Sequence, residues 1–95
     1  MENAASINRI DAIREEIATL TGSKVFVKAN LGRSRIIERT GQLIESHPSL
    51  FVVEVEEGRG RKARQSYQYV DVLTNTVELS DPETGESLLE AMREG

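Results

Sequence analysis

Cysteine is absent from the 95-residue chain, which excludes a disulfide framework, a thiolate nucleophile and cysteine-ligated zinc or iron–sulfur centres, and fits a reducing compartment. Histidine occurs once, at His47, so most other metal-site patterns lack ligands. Tryptophan is missing and only four residues are aromatic, Phe26, Phe51, Tyr67 and Tyr69; the core must therefore be mainly aliphatic. The longest uninterrupted apolar stretches, 25–27 and 50–53, fall far short of the ~20 residues that cross a bilayer, and no membrane association is expected. Met1-Glu2-Asn3 carries acid where a secretory signal carries base, with no apolar segment after it, so a cytoplasmic location is expected. A chain of this size has room for one hydrophobic core, and folding hides roughly 60 to 70% of its unfolded surface.

The charge is unevenly spread. The net −4 divides into −2 over residues 1–23, +4 over residues 24–69 and −6 over residues 70–95. A basic middle thus lies between acidic ends, a pattern that bears on which partners the chain attracts.

Ile7, Ile10, Ile13, Ile17 and Leu20 recur at steps of three and four and set one apolar stripe on a helix. With Ser6 as N-cap and Gly22 just past the last apolar residue, the helix is predicted over about 6–21. From Lys24 the period changes to two. Residues 24–28 read as a strand, Asn30-Leu31-Gly32 as a tight reversal, and 34–44 as the return strand, with Gly41 marking a bulge or bend. His47-Pro48-Ser49 is a turn. Strands are predicted at 50–56, 63–70 and 76–79, with the loop 57–62 mobile, and Asp71 is expected to cap a single helical turn at 71–74. Residues 1–79 are then one domain, mainly β with an N-terminal helix: a small, curved, five-stranded antiparallel barrel. Residues 80–95 are expected to form a flexible acidic tail, in which Leu88, Leu89 and Met92 support at most one short helix.

Five segments then resemble a known family in order and spacing: Lys28-Ala29-Asn30-Leu31-Gly32-Arg33, Ile37-Glu38-Arg39-Thr40-Gly41, Pro48-Ser49-Leu50-Phe51-Val52-Val53, Ser66-Tyr67-Gln68-Tyr69-Val70-Asp71-Val72-Leu73-Thr74 and Thr76-Val77-Glu78-Leu79. The chain resembles the bacterial Veg family over about 7–79. The resemblance implies a small cytoplasmic protein of Gram-positive bacteria that stimulates biofilm formation through matrix gene expression rather than catalysis, and a barrel of the Sm-like or SH3-like type. It carries no catalytic or ligand-binding residue to this chain, and nothing about the segments outside it.

The residues themselves point away from catalysis. His47, in a turn before Pro48, has no nucleophile or orienting group predicted beside it, and Gly58-Arg59-Gly60 lacks the following helix that a phosphate cradle needs. No cofactor is expected. The candidate binding residues are basic: Arg33, Arg35 and Arg39, which share strand parity, and Arg59, Arg61, Lys62 and Arg64 on the loop and strand that follow. Placed on one side of a barrel they attract phosphates or an acidic protein; interleaved with Glu38, Glu54, Glu56 and Glu57 they are a solvated strand face. Tyr67 and Tyr69 also share parity and offer either a stacking platform for bases or core packing, the latter favoured where aromatics are so few. The expected function is a non-enzymatic regulatory or adaptor protein that binds another protein, a transcription regulator among the candidates. Weak nucleic-acid binding is the alternative, and self-association is left open.

Overall fold

The computed structural model describes the backbone of residues 2–89 and the side chains of residues 9–89. The elements in chain order are α1 (Glu2–Thr19), β1 (Lys24–Asn30), β2 (Ile36–Ser46), β3 (Leu50–Gly58), β4 (Arg61–Gln68), α2 (Tyr69–Leu73) and β5 (Val77–Ser80). The strands form one antiparallel sheet in the order β4-β3-β2-β1-β5. The expected mainly β architecture with an N-terminal helix is present, and the sheet is open rather than closed between β4 and β5.

Helix α1 begins four residues before Ser6, so Ser6 lies inside it and is not its cap. Ala4 and Ala5 belong to the residue type of highest helix propensity, which lets the helix run back past Ser6. Its exit follows expectation: the last turn tightens, with Leu20 N–H donating to Ile17 O at 3.0 Å, and Gly22 takes φ +93°. Gly22 N–H then donates to Leu43 O at 2.7 Å, tying the end of the helix to β2.

On the sheet, Val25, Val27 and Ala29 of β1, Leu43 of β2, Phe51, Val53 and Val55 of β3 and Val77 and Leu79 of β5 face one core. Ile13 and Ile17 of α1 and Tyr69 and Val72 of α2 cover that face, consistent with alternation on strands and a three-to-four step on helices. Ile10 is only partly buried.

Strand β2 changes partner midway. Residues 36–42 pair with β1 and residues 41–46 with β3, Gly41 standing opposite Val25 on one side and Val55 on the other. The register shift lies between Leu43 and Glu45, not at Gly41 as expected. Gly41 answers a different demand: a Cβ there would lie 2.3 Å from the Glu54 carbonyl oxygen and 2.9 Å from Val55 Cα, so only glycine lets the two backbones approach this closely.

Asp71 is not a cap. Helix α2 starts at Tyr69, its N-cap position is Gln68 with no side-chain bond, and Asp71 lies in the first turn. Burial of Tyr69 and Val72, three residues apart, sets the phase of this helix ahead of any capping preference. Beyond β5 the chain does not leave the domain at once. Asp81 Oδ1 accepts from Glu83 N–H at 2.7 Å, Ser87 pairs back to Ser80, and Leu88 N–H donates to Leu79 O at 3.1 Å. This hook, residues 81–89, seats Leu89 in the core at 1% exposure, whereas a flexible tail was expected from residue 80. Met92 lies outside the described residues.

Candidate binding surface

The register of β2 against β3 places the two hairpin tips, 31–35 and 59–60, beyond the same end of the sheet. The first tip is built by Asn30, whose side-chain oxygen accepts from Gly32 N–H at 2.8 Å, by Leu31 N–H donating to Arg35 O at 2.8 Å and by Arg35 N–H donating to Gly32 O at 2.8 Å. Arg33 (φ 47°) and Ser34 (φ 68°) take the left-handed region there, where a non-glycine residue is uncommon. Arg33 and Arg35 therefore sit in a loop, because β2 starts only at Ile36, and the parity argument that grouped them with Arg39 does not hold. Arg39 alone of the three is on the strand.

Parity places Arg39 on the core-facing side of β2, with Gly41 and Leu43. It is nonetheless exposed. Its Nη1 donates to the carbonyl of Glu38 at 3.0 Å. Burial pushes the Tyr67 phenol above its ordinary 10.0, and the charge of the Arg39 guanidinium works in the opposite direction. Tyr67 is half-buried and packs against Phe51 at 5.7 Å between ring centroids.

Tyr69 is not a stacking platform. It is buried, its ring lies 5.6 Å from that of Phe51, and its hydroxyl donates to His47 O at 2.6 Å and lies 2.9 Å from Ser46 Oγ. Sequence parity linked it to Tyr67, but the chain leaves β4 for α2 between them, and the strand period ends there.

The second basic group divides in two. Lys62 and Arg64 stand opposite Glu56 and Glu54, and Arg64 Nη1 lies 3.6 Å from Glu45. Cross-strand acids neutralise this part of the surface. Glu45 is held below its ordinary 4.5 chiefly by a 2.8 Å bond to the ring of His47; desolvation opposes this, and the charge of Arg64 adds a smaller lowering effect. By contrast, no ion pair or side-chain hydrogen bond among the described residues holds Arg33, Arg35, Arg59 or Arg61. The free positive charge is concentrated at the hairpin end.

The sequence reading missed Leu31 and Ile36 at that end. They are 55% and 48% exposed, the two most exposed large apolar side chains among the described residues. A signal was present: Leu31 falls in a turn, and Ile36 has the opposite parity to the core positions Gly41 and Leu43. A groove of about 600 Å³ also opens beside β5 and the hook, with Phe26, Lys28, Val72 and Pro82 in its walls. Its charged lining is Lys28, Glu38, Glu78 and Asp81; the first three are direct cross-strand neighbours, and one base against three acids leaves the groove acidic. Among the described residues no three metal-ligating side chains come together, and no helix is long and apolar enough to cross a membrane.

A family model described as biofilm formation stimulator VEG matches residues 8–80. The match takes in all five strands and α2 and stops before the hook. No curated protein matches the chain.

Proposed function

The chain belongs to the Veg family, described as biofilm formation stimulators, and from that premise we propose that it acts as a non-enzymatic cytoplasmic regulator, influencing matrix gene expression by binding another protein. The observation that carries this reading is the hairpin end of the sheet, where exposed Leu31 and Ile36 lie among arginines without acidic partners. Apolar anchors rimmed by charge suit recognition of a protein surface, with arginine enriched at such sites. The test is capture of partners by the full chain from the native bacterium, with and without nuclease. Capture of a defined protein that survives nuclease, and that weakens when Leu31 or Ile36 is changed to serine, is the expected result. Capture that vanishes with nuclease overturns it.

The convergence of Arg33, Arg35, Arg39, Arg59 and Arg61 on one end also favours a second reading, nucleic-acid binding. Its signature is a fall of log affinity with log salt of ~0.7 per neutralised phosphate on single strands. The expected affinity of the full chain near physiological salt is poorer than ~10 µM, in the nonspecific range, and submicromolar binding abolished by reversing Arg35 and Arg39 would promote this reading over the first.

A further inference from the structure

Strand β2 is an interior strand for only part of its length. Ile36–Thr40 pair with β1 alone, since the ladder with β3 begins at Gly41 opposite Val55. Among the described residues no strand residue is paired with 36–40 on their other side. The cause is local to β3: its pairing with β4 shifts between Glu56 and Gly58, and Gly58 takes φ +90°. A bulge increases the twist of the strand that carries it, which turns the β3–β4 hairpin away from β2.

The direction of the free backbone groups follows from the ladder. Leu43 N–H donates to Ser23 O at 3.0 Å, and Arg35 O accepts from Leu31 N–H at 2.8 Å, so odd-numbered positions turn toward β1. The register between them has no shift, and antiparallel pairing alternates. Ile36 and Glu38 therefore direct their N–H and C=O groups to the open side, as Thr40 does its N–H, while the Thr40 C=O lies where the β3 ladder starts beside the Gly41–Val55 pair. The bond from Arg39 Nη1 to the Glu38 carbonyl agrees with this, because that carbonyl has no strand partner. An exposed strand edge of this kind is a template for another strand.

Charge decides what fits. From residue 31 to residue 40, Arg33, Arg35 and Arg39 are opposed by Glu38 alone. A second copy fits poorly: antiparallel registers that join outward-facing positions set Glu38 against Glu38, Arg39 against Arg39, or Arg35 against Arg39 of the copy, and like charges directly opposite are destabilising. We infer that the Ile36–Thr40 edge takes up an extended segment of a partner protein as an added strand, whose carboxylates meet Arg35 and Arg39 and whose apolar side chains cover Ile36. This rests on the protein-binding reading and names its docking mode. On binding, the Arg39 guanidinium leaves the Glu38 carbonyl, which then accepts from the incoming backbone.

The test is NMR on the full chain titrated with a synthetic heptapeptide of alternating valine and glutamate, with a valine–lysine heptapeptide as control. The expected result is slowed hydrogen exchange at the amides of 36, 38 and 40, those of 37 and 39 being already paired, with no effect of the lysine peptide. Arg39→Glu weakens the glutamate peptide about five- to tenfold, as loss of an exposed attraction and gain of a repulsion require. Thr40→Pro removes an outward N–H while sparing the β1 ladder, and also weakens it; Arg39→Glu, at an exposed position, keeps the test valid should the proline variant fail to fold. Peptide shifts that map elsewhere, or are indifferent to Arg39→Glu, overturn the inference. So does protection of 36, 38 and 40 that rises with protein concentration alone, which assigns the edge to a second copy, or protection produced by a short single-stranded oligonucleotide instead of the peptide. If the glutamate peptide protects this edge but the capture experiment yields no protein, the edge stands and the protein-binding reading falls; if a protein is captured while the peptide maps elsewhere, the edge falls alone.

Discussion

Changing Gly41 to alanine adds a single methyl group at the place where β2 passes from one partner to the other. The Cβ would stand 2.3 Å from the Glu54 carbonyl oxygen and 2.9 Å from both the Glu54 carbonyl carbon and Val55 Cα. Ordinary carbon contacts need ~3.5 Å, so the two backbones must part by about 1 Å. No side chain can yield in their place, since all three atoms belong to the β3 main chain. The separation strains or breaks ladder bonds next to the Gly41–Val55 pair, each worth about 1 kcal/mol net, and disturbs the packing of Val55 beneath; together with overpacking this gives a loss of about 3 to 5 kcal/mol. Domains of this size have about 5 to 15 kcal/mol in all, and the melting temperature should fall by roughly 12 to 40 °C. Thermal and urea unfolding followed by circular dichroism measure it. Gly22→Ala is the control, because Gly22 has φ +93° but nothing within 4 Å of an added Cβ, and should cost only about 1 kcal/mol from its left-handed backbone. If the two variants lose the same small amount, the argument that Gly41 is required by close approach is wrong.

Ile17→Ala empties a fully buried site and should cost about 2 to 5 kcal/mol in urea unfolding, whereas Ile10→Ala, at a partly buried position, should cost clearly less; equal losses would place the stripe of α1 differently. Ending the chain at Ser80 removes Leu89 from the core together with the Ser80–Ser87 bridge, and should lower stability by about 2 to 4 kcal/mol; unchanged unfolding would mean the hook contributes nothing. Glu45 is held below 4.5 by His47 and then by Arg64, so its contribution is present above that pH and fades as pH falls through the lower folded value. His47→Ala should raise the Glu45 value in an NMR titration and flatten the acid limb of the stability profile, and an unmoved Glu45 would sever the proposed link.

The elements with strong local periods were legible in the sequence. The isoleucine spacing of α1 names both the element and its buried face, and the residues at 24–28 and the run at 50–53 name strands, because burial selects side chains at the period of the backbone. Gly22 was legible too, since helix exit into a left-handed residue is a local event. The Veg resemblance likewise lay in short segments readable in order along the chain, and the family match bears it out.

Other features depend on what lies far away in sequence. Gly41 looked like a bend because its own residues cannot reveal the Glu54 backbone against it. Tyr67 and Tyr69 share parity along the chain, yet one is half-exposed and the other is locked between Phe51 and the His47 carbonyl, since strand gives way to helix between them. Asp71 had the right identity for a cap, but the burial of Tyr69 and Val72 shifted the helix forward of it. The basic residues were all visible as composition, and only pairing across strands separated the neutralised Lys62 and Arg64 from the free Arg33, Arg35, Arg59 and Arg61. Leu89, in an acidic segment with few apolar neighbours, reads as tail because the core that receives it is assembled from β1, β2, β3, β5 and both helices. The sequence by itself determined the order of the helix and the five strands and the apolar stripe of α1, for these follow from short-range periods; the tertiary structure alone decided where β4 gives way to α2, where β2 loses its second partner, which charges are cancelled and where the hook docks, because each depends on distances between residues that the chain separates.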